Sequence, residues 1–261
     1  MNNQHQQILQ ALQTLKLPWM RQNYEPLLEQ AIKQQTSTLE YLHELLLGEA
    51  QARQERATER RIQAARFPVI KTLDTFNWQW PQSIDRPQVE HLSRLRFVEN
   101  KHNAVLLGPV GVGKTHLATA IALQACHHGH KVLYINAIEA INDLITAQKQ
   151  GRLKPAMRRY TTPHLLVLDE IGYLPIDKTG ADLLFQIISA RYERGAILLT
   201  TNKAFKDWPS IFNNDSTLTS AVLDRLLHHC ETVIIQGSSY RMRKTKGNTE
   251  GVSPRNLTRI S

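Results

Sequence analysis

The sequence predicts an α/β fold, a parallel sheet flanked by helices on both faces and preceded by a small all-helical N-terminal domain. Three observations carry this. After residue 103, short apolar β-branched runs alternate with segments of helical length. A glycine-rich turn pattern sits between the first such run and the helical segment after it. Residues 1–66 hold only one glycine, Gly48, among Leu, Gln, Glu and Arg, which is helical composition.

The elements follow in order. "STLE" at 37–40 has the form of a capping box, in which Ser37 accepts from the backbone three residues on and Glu40 reaches back, so a helix begins there. Leu39, Leu42, Leu45 and Leu46 recur at three-to-four spacing and predict one apolar face, while "ARQERATERRIQAAR" after them reads as charged and solvated. Residues 1–66 carry nothing catalytic, so a partner protein or a neighbouring subunit is their expected contact. Residues 67–103 shift to proline, aromatics and turn formers and are expected to be a linker and the start of a second domain. Phe76, Trp78 and Trp80 within it are expected to anchor the linker, not to stack on a base. Strands are expected at "AVLLG" (104–108), "KVLYIN" (131–136), "HLLVLDE" (164–170), "AILLTTN" (196–202) and "ETVIIQG" (231–237), in a core ending near residue 240. Residues 241–261 form a basic tail expected to be a flexible arm.

Lys and Arg exceed Asp and Glu by 32 to 23. The surplus favours a polyanionic partner such as nucleic acid, against the plainer reading of a soluble basic protein. Cys126 and Cys230 are far apart, which argues against a disulfide framework or a zinc site and predicts two small core hydrophobes. The histidines at 127–130 and 228–229 lack a partner at ligand spacing and are expected on the surface. The first residues lack a secretory pattern and no apolar run reaches membrane-spanning length, so a cytoplasmic protein without a membrane partner is expected.

Gly108-Pro109-Val110-Gly111-Val112-Gly113-Lys114-Thr115 fits G-x-x-x-x-G-K-[ST] between a predicted strand and a predicted helix. Its glycines let backbone N–H groups face phosphates, the helix adds its positive end, Lys114 supplies a point charge and Thr115 an oxygen for magnesium. His116 follows at the start of that helix and is grouped with the nucleotide contacts. ATP and Mg²⁺ are therefore expected. Asp169 ends "LLVLD" at the edge where such sheets place ligands and reads as the magnesium-side carboxylate. Glu170 beside it can orient and deprotonate a water for attack on the γ-phosphate; the competing reading is a loop cap. Asn202 ends the next strand and suits holding that water or the γ-phosphate, against a turn-forming role. Arg225 in "SAVLDRLLHH" suits a finger reaching a neighbour's γ-phosphate, against a surface pair with Asp224 or Glu231.

The phosphate loop, "LLVLDE", "LLTTN", "LDRLLHH" and "GSSYRMR" together resemble an AAA+ ATPase of the DnaC/IstB branch. "RRIQAARFPVIKTLDTFNW", "GPVGVGKTHLA", "LDEIGYLPIDKTGADLLFQIISARYERGAILLTTN" and "AVLDRLLHHCETVIIQGSSYRMR" are similar to IstB-like transposition helper proteins over roughly residues 5–245, most distinctively from Leu168 to Asn202. The resemblance implies an insertion-sequence helper ATPase that binds duplex DNA without strong sequence preference, assembles on it with ATP as a ring or helical oligomer, and presents the target to a transposase. It implies Lys114 and Thr115 as the Walker A pair, Asp169 and Glu170 as the Walker B pair, Asn202 as first sensor and Arg225 as the finger. Arg241 resembles the second-sensor arginine, with Arg243 as the alternative. No lid domain is expected after the last strand, so the nucleotide is expected to be open unless a neighbour covers it. Initiator-like relatives place an extra helix between the second and third strands. There Lys149, Arg152, Lys154, Arg158 and Arg159 are expected to contact phosphates from inside an oligomer, against the reading of a solvated basic helix. The alternative function is a DnaC-like replicative helicase loader. A small-molecule kinase is disfavoured because Glu170 suits water activation.

Overall fold

Pro18, without a backbone N–H, opens a helix whose preceding residue, Leu17, offers no side-chain cap. A computed structural model of the chain, described over residues 3–242, shows how the shortfall is met. The chain divides into two units between Arg60 and Arg61. The first holds α1 (Asn3–Thr14), α2 (Pro18–Gln34) and the greater part of α3 (Thr38–Ala65). The buried Glu49 of α3 accepts the free Trp19 and Met20 N–H groups at 2.9 and 3.1 Å, capping α2 from a distance. The capping box forms as expected, with Ser37 N–H donating to Glu40 and Glu40 N–H to Ser37 Oγ at 3.0 and 3.2 Å. Gly48 is a packing requirement, since a Cβ there would lie 2.0 Å from the Trp19 ring.

The expected leucine face is corrected by the packing. Leu45 is buried against Leu12, Met20 and Tyr24, but Leu39, Leu42 and Leu46 are exposed, Leu39 at 77%. The inward stripe of α3 runs through Tyr41, Leu45, Glu49 and Ala52, and the leucines at 39, 42 and 46 form a second, exposed stripe beside it.

The second unit carries β1 (Ser83–Ile84), α4 (Arg86–Ser93), α5 (Arg96–Glu99), β2 (Asn103–Leu107), α6 (Lys114–His127), β3 (Val132–Asn136), α7 (Ala137–Lys149), α8 (Leu153–Thr161), β4 (Leu165–Ile171), α9 (Lys178–Arg191), β5 (Ala196–Thr201), α10 (Ser216–Leu227) and β6 (Cys230–Gln236). The six strands lie in the order β1-β6-β2-β5-β4-β3. The five expected strands pair in parallel; β1, inside the stretch expected to be linker, is antiparallel to β6. Alternation of side chains gives the sheet two buried faces. Ala104, Leu106, Val167, Leu198 and Val233 pack with α6, and Val105, Leu133, Leu166, Leu168 and Leu199 pack with α7, α9 and α10. Cys126 is fully buried and Cys230 partly so, and burial pushes both thiols up to about 11. Among the described residues no helix is long and apolar enough to cross a membrane.

Candidate functional site

β2 ends at Leu107 between β5 and β6, and the chain turns through Gly108–Gly113 into α6. Gly111 and Gly113 hold φ of 81° and 100°, a region that favours glycine. Gly108 has no room for a side chain: a Cβ would lie 2.2 Å from the Ile235 carbonyl oxygen of β6. The loop faces a cleft of about 530 Å³; Val110 is exposed, and Val112, which lines the cleft, is buried.

Lys114, only 4% exposed, donates from Nζ to the Gly108 and Pro109 carbonyls, each at 2.7 Å. Burial lowers its pKa to about 8, against the pull of Asp169 and Glu170. Thr115 Oγ1 lies 3.2 and 3.1 Å from the two oxygens of Asp169, which is 5% exposed. Asp169 also accepts from Tyr134 at 2.8 Å and from Thr200 at 2.5 Å. Burial and the Asp169 charge push the Tyr134 hydroxyl far up, so it stays protonated and donates. The Thr115 hydroxyl and the Asp169 carboxylate are hard oxygen donors in the combination magnesium takes, so the residues fit that ion.

Asp169 and Glu170 occupy a bulge. Leu168 pairs with Leu199 and Ile171 with Thr201, so three steps on β4 oppose two on β5. Glu170 takes up the difference with φ of 64°, its N–H donating to Thr200 Oγ1 at 2.8 Å. A bulge re-aims side chains that would otherwise alternate across the sheet. Glu170 lines the cleft, and its Oε2 accepts from Asn136 Nδ2 at 2.9 Å.

The remaining expected residues fall differently. Asn202 follows β5 at the same edge but is not among the residues lining the cleft; its Oδ1 is buried without a hydrogen-bond partner, beside Gly172. Arg225 lies outside this chain's cleft, donating to Ala221 O at 2.9 Å with its guanidinium over the Phe185 ring, and among the described residues it pairs with neither Asp224 nor Glu231. Arg241 lines the cleft with Tyr240, whose N–H donates to Gly111 O at 2.9 Å; Arg243 and the rest of the tail lie outside the described residues. His116 also lines the cleft, but its Nε2 donates to Thr72 O at 2.8 Å and its ring meets Phe76 edge-on.

Sequence reasoning missed the linker's part in the site. Pro68, Val69, Thr75, Phe76 and Trp80 line the cleft, Phe76 being what a Cβ at Gly113 would strike at 2.6 Å. Sequence also missed Tyr134, Asn136 and Thr200, for which only a position at or near a strand end was available as a signal.

The stretch between β3 and β4 folds as the two helices α7 and α8. Lys149, Arg152, Lys154 and Arg158 are exposed, Arg152 bonding Gln150. Arg159 pairs with Asp143 of α7 at 2.6 Å, and Tyr160 donates to the same carboxylate at 3.1 Å, so both fasten α8 to α7. The histidines at 228 and 229 are exposed as expected, and Glu193 stands beside them, their ligand atoms within 4.8 Å of one another.

A phosphate loop after a parallel strand, with paired acids at the same sheet edge, defines a P-loop nucleotide-binding protein. The chain belongs to the family of IstB-like ATP binding proteins, whose model matches residues 10–248. It is 42% identical to the IS21 insertion-sequence ATP-binding protein of Pseudomonas aeruginosa over 96% of this chain and 93% of that one. In fold it is similar to AMPPCP-bound DnaA from Aquifex aeolicus, at a TM-score of 0.54 and 21% identity over 71% of this chain and 56% of that one. It is likewise similar to the DnaC helicase loader, at a TM-score of 0.52 and 22% identity over 68% of this chain and 99% of that one.

Proposed function

We propose that this chain hydrolyses ATP with Mg²⁺, assembles on duplex DNA when ATP is bound, and assists a transposase in choosing its target. The observation that carries the hydrolytic part is the pairing of Thr115 with Asp169 beside Glu170 on a bulged strand end. In this reading the Gly108–Gly113 amides and Lys114 bind the phosphates, and Thr115 and Asp169 hold the magnesium ion, which supplies charge neutralisation on the phosphoryl oxygens. Glu170 takes the proton of the attacking water, and Asn202, at the same sheet edge but not lining the cleft, reaches that water or the γ-phosphate by turning its side chain. Arg241 contacts the phosphates from the same chain, whereas Arg225, which does not line its own cleft, serves a neighbour. DNA binding is supported by the exposed cations of α7 and α8, and the transposase by the insertion-sequence kinship.

The test compares two variants. Glu170→Gln is expected to keep ATP and assembly on DNA while losing turnover; Lys114→Ala is expected to lose both. Equal phosphate release by wild type and Glu170→Gln would overturn the base assignment. Electron microscopy with an ATP analogue, with and without duplex DNA, tests assembly: particles forming only with both support the reading, and particles indifferent to DNA contradict it.

A further inference from the structure

The helical unit is slightly acidic by count, with seven Glu against six Lys and Arg over residues 1–60, yet its charges are segregated. Five of those six cations, Lys16, Arg21, Arg53, Arg56 and Arg60, line a single cavity of about 430 Å³. No acid lines it, and Leu17 and Pro18 form part of its wall. Arg53, Arg56 and Arg60 recur at three- and four-residue spacing on α3 and so share one face over about 10 Å. Lys16 and Arg21 come from either side of the α1–α2 turn, Lys16 itself holding a φ of 55°.

Like charges at such spacing repel, so the arrangement costs stability unless an anion compensates it. The chain supplies almost none. Arg56 pairs with Glu49 Oε1 at 2.8 Å, but Glu49 already caps α2 with its other oxygen. Arg60 turns its Nε to the Arg56 carbonyl at 3.2 Å, and among the described residues Lys16, Arg21 and Arg53 have no acidic partner. Four of the five are arginines, whose planar forks match phosphate oxygens two at a time. A row of about 10 Å spans about three phosphates of one strand along a duplex axis.

We propose that this groove binds the sugar–phosphate backbone of DNA, which makes the helical unit a phosphate contact separate from the α7–α8 cations. The proposal rests on the reading of the chain as a DNA-binding protein. Because the groove is built wholly from residues 12–60, its contribution does not require the nucleotide cleft to be filled, and it persists without ATP.

The experiment uses the full chain and a short mixed-sequence duplex, with affinity measured over a series of salt concentrations in the absence of nucleotide. Arg53→Glu with Arg60→Glu is expected to weaken binding on the order of tenfold at low salt and to flatten the log–log salt slope by about two. Arg53→Lys with Arg60→Lys, which keeps the charge, should retain the slope, and unchanged helical melting and ATP-analogue affinity in both variants exclude misfolding. Wild-type affinity and slope in the Glu variant overturn the groove assignment. If Arg158→Glu weakens binding while the groove variant does not, only the groove is wrong; if the wild-type chain binds no duplex at all, the DNA-binding reading fails with it. Loss of a polyglutamate peptide with DNA binding intact assigns the groove to an acidic protein and overturns the proposal.

Discussion

Lys114 is held by two backbone carbonyls inside a loop that leaves it 4% exposed, and burial brings its pKa to about 8 from an ordinary 10.5. Between those values the folded chain binds fewer protons at this site than the unfolded one, so the burial penalty is complete below pH 8 and is relieved as pH rises toward 10.5. Triphosphate binding works in the opposite direction, because its negative charge favours the ammonium. ATP binding is therefore expected to take up a proton just above pH 8, and affinity to fall as pH rises through that range. Calorimetry in two buffers of different ionisation heat checks this; an observed heat independent of buffer refutes it. The loop, Lys114 and Asp169 were legible because their signals are local: a motif of eight residues and an acid ending an apolar run. Tyr134, Asn136 and Thr200 were not, because they lie 35, 34 and about 30 residues from the acids they bond and arrive there only through strand register.

At the scale of elements, the α7–α8 pair separates residues that the sequence presents as one basic set. Arg158 is exposed, whereas Arg159 bonds Asp143 sixteen residues back on α7. Arg158→Glu is expected to lower DNA affinity and the salt slope with no change in unfolding temperature. Arg159→Glu sets two carboxylates against each other and is expected to cost up to about 1 kcal/mol of stability, the range of a partly exposed pair. Paired melting and binding curves decide; a larger DNA-binding loss from Arg159→Glu, with no thermal change, would reverse the two roles. Element type was readable from period and length, and the five parallel strands stand within a residue or two of expectation. Facing was harder to read. Leucines at 39, 42 and 46 and the stripe from Tyr41 through Leu45 to Ala52 are both helical periodicities on α3, and only packing against α2 selects the second. The 67–103 stretch was opaque for a related reason: β1 is two residues long and its partner β6 begins at Cys230, so no local pattern announces it.

At the scale of the whole molecule, one chain holds a phosphate loop, a metal-side acid and a candidate base, but its Arg225 guanidinium rests on Phe185 and Ala221 instead of entering the cleft. In the proposed reading, a cation of that kind acts on the γ-phosphate of a second copy that brings its own cleft to it, and turnover is then a property of the assembly. Arg225→Ala is expected to leave ATP affinity near that of wild type while phosphate release on DNA falls by roughly a thousandfold, the order of an arginine finger. Arg225→Ala and Lys114→Ala are then complementary, because one supplies an intact cleft and the other an intact arginine. Mixed subunits create junctions in which both are present, so activity should rise from near zero to a maximum at an intermediate ratio. Absence of a maximum at any ratio, in mixed particles shown to hold both variants on DNA, would place Arg225 in its own chain's site and require it to leave Phe185 during the cycle.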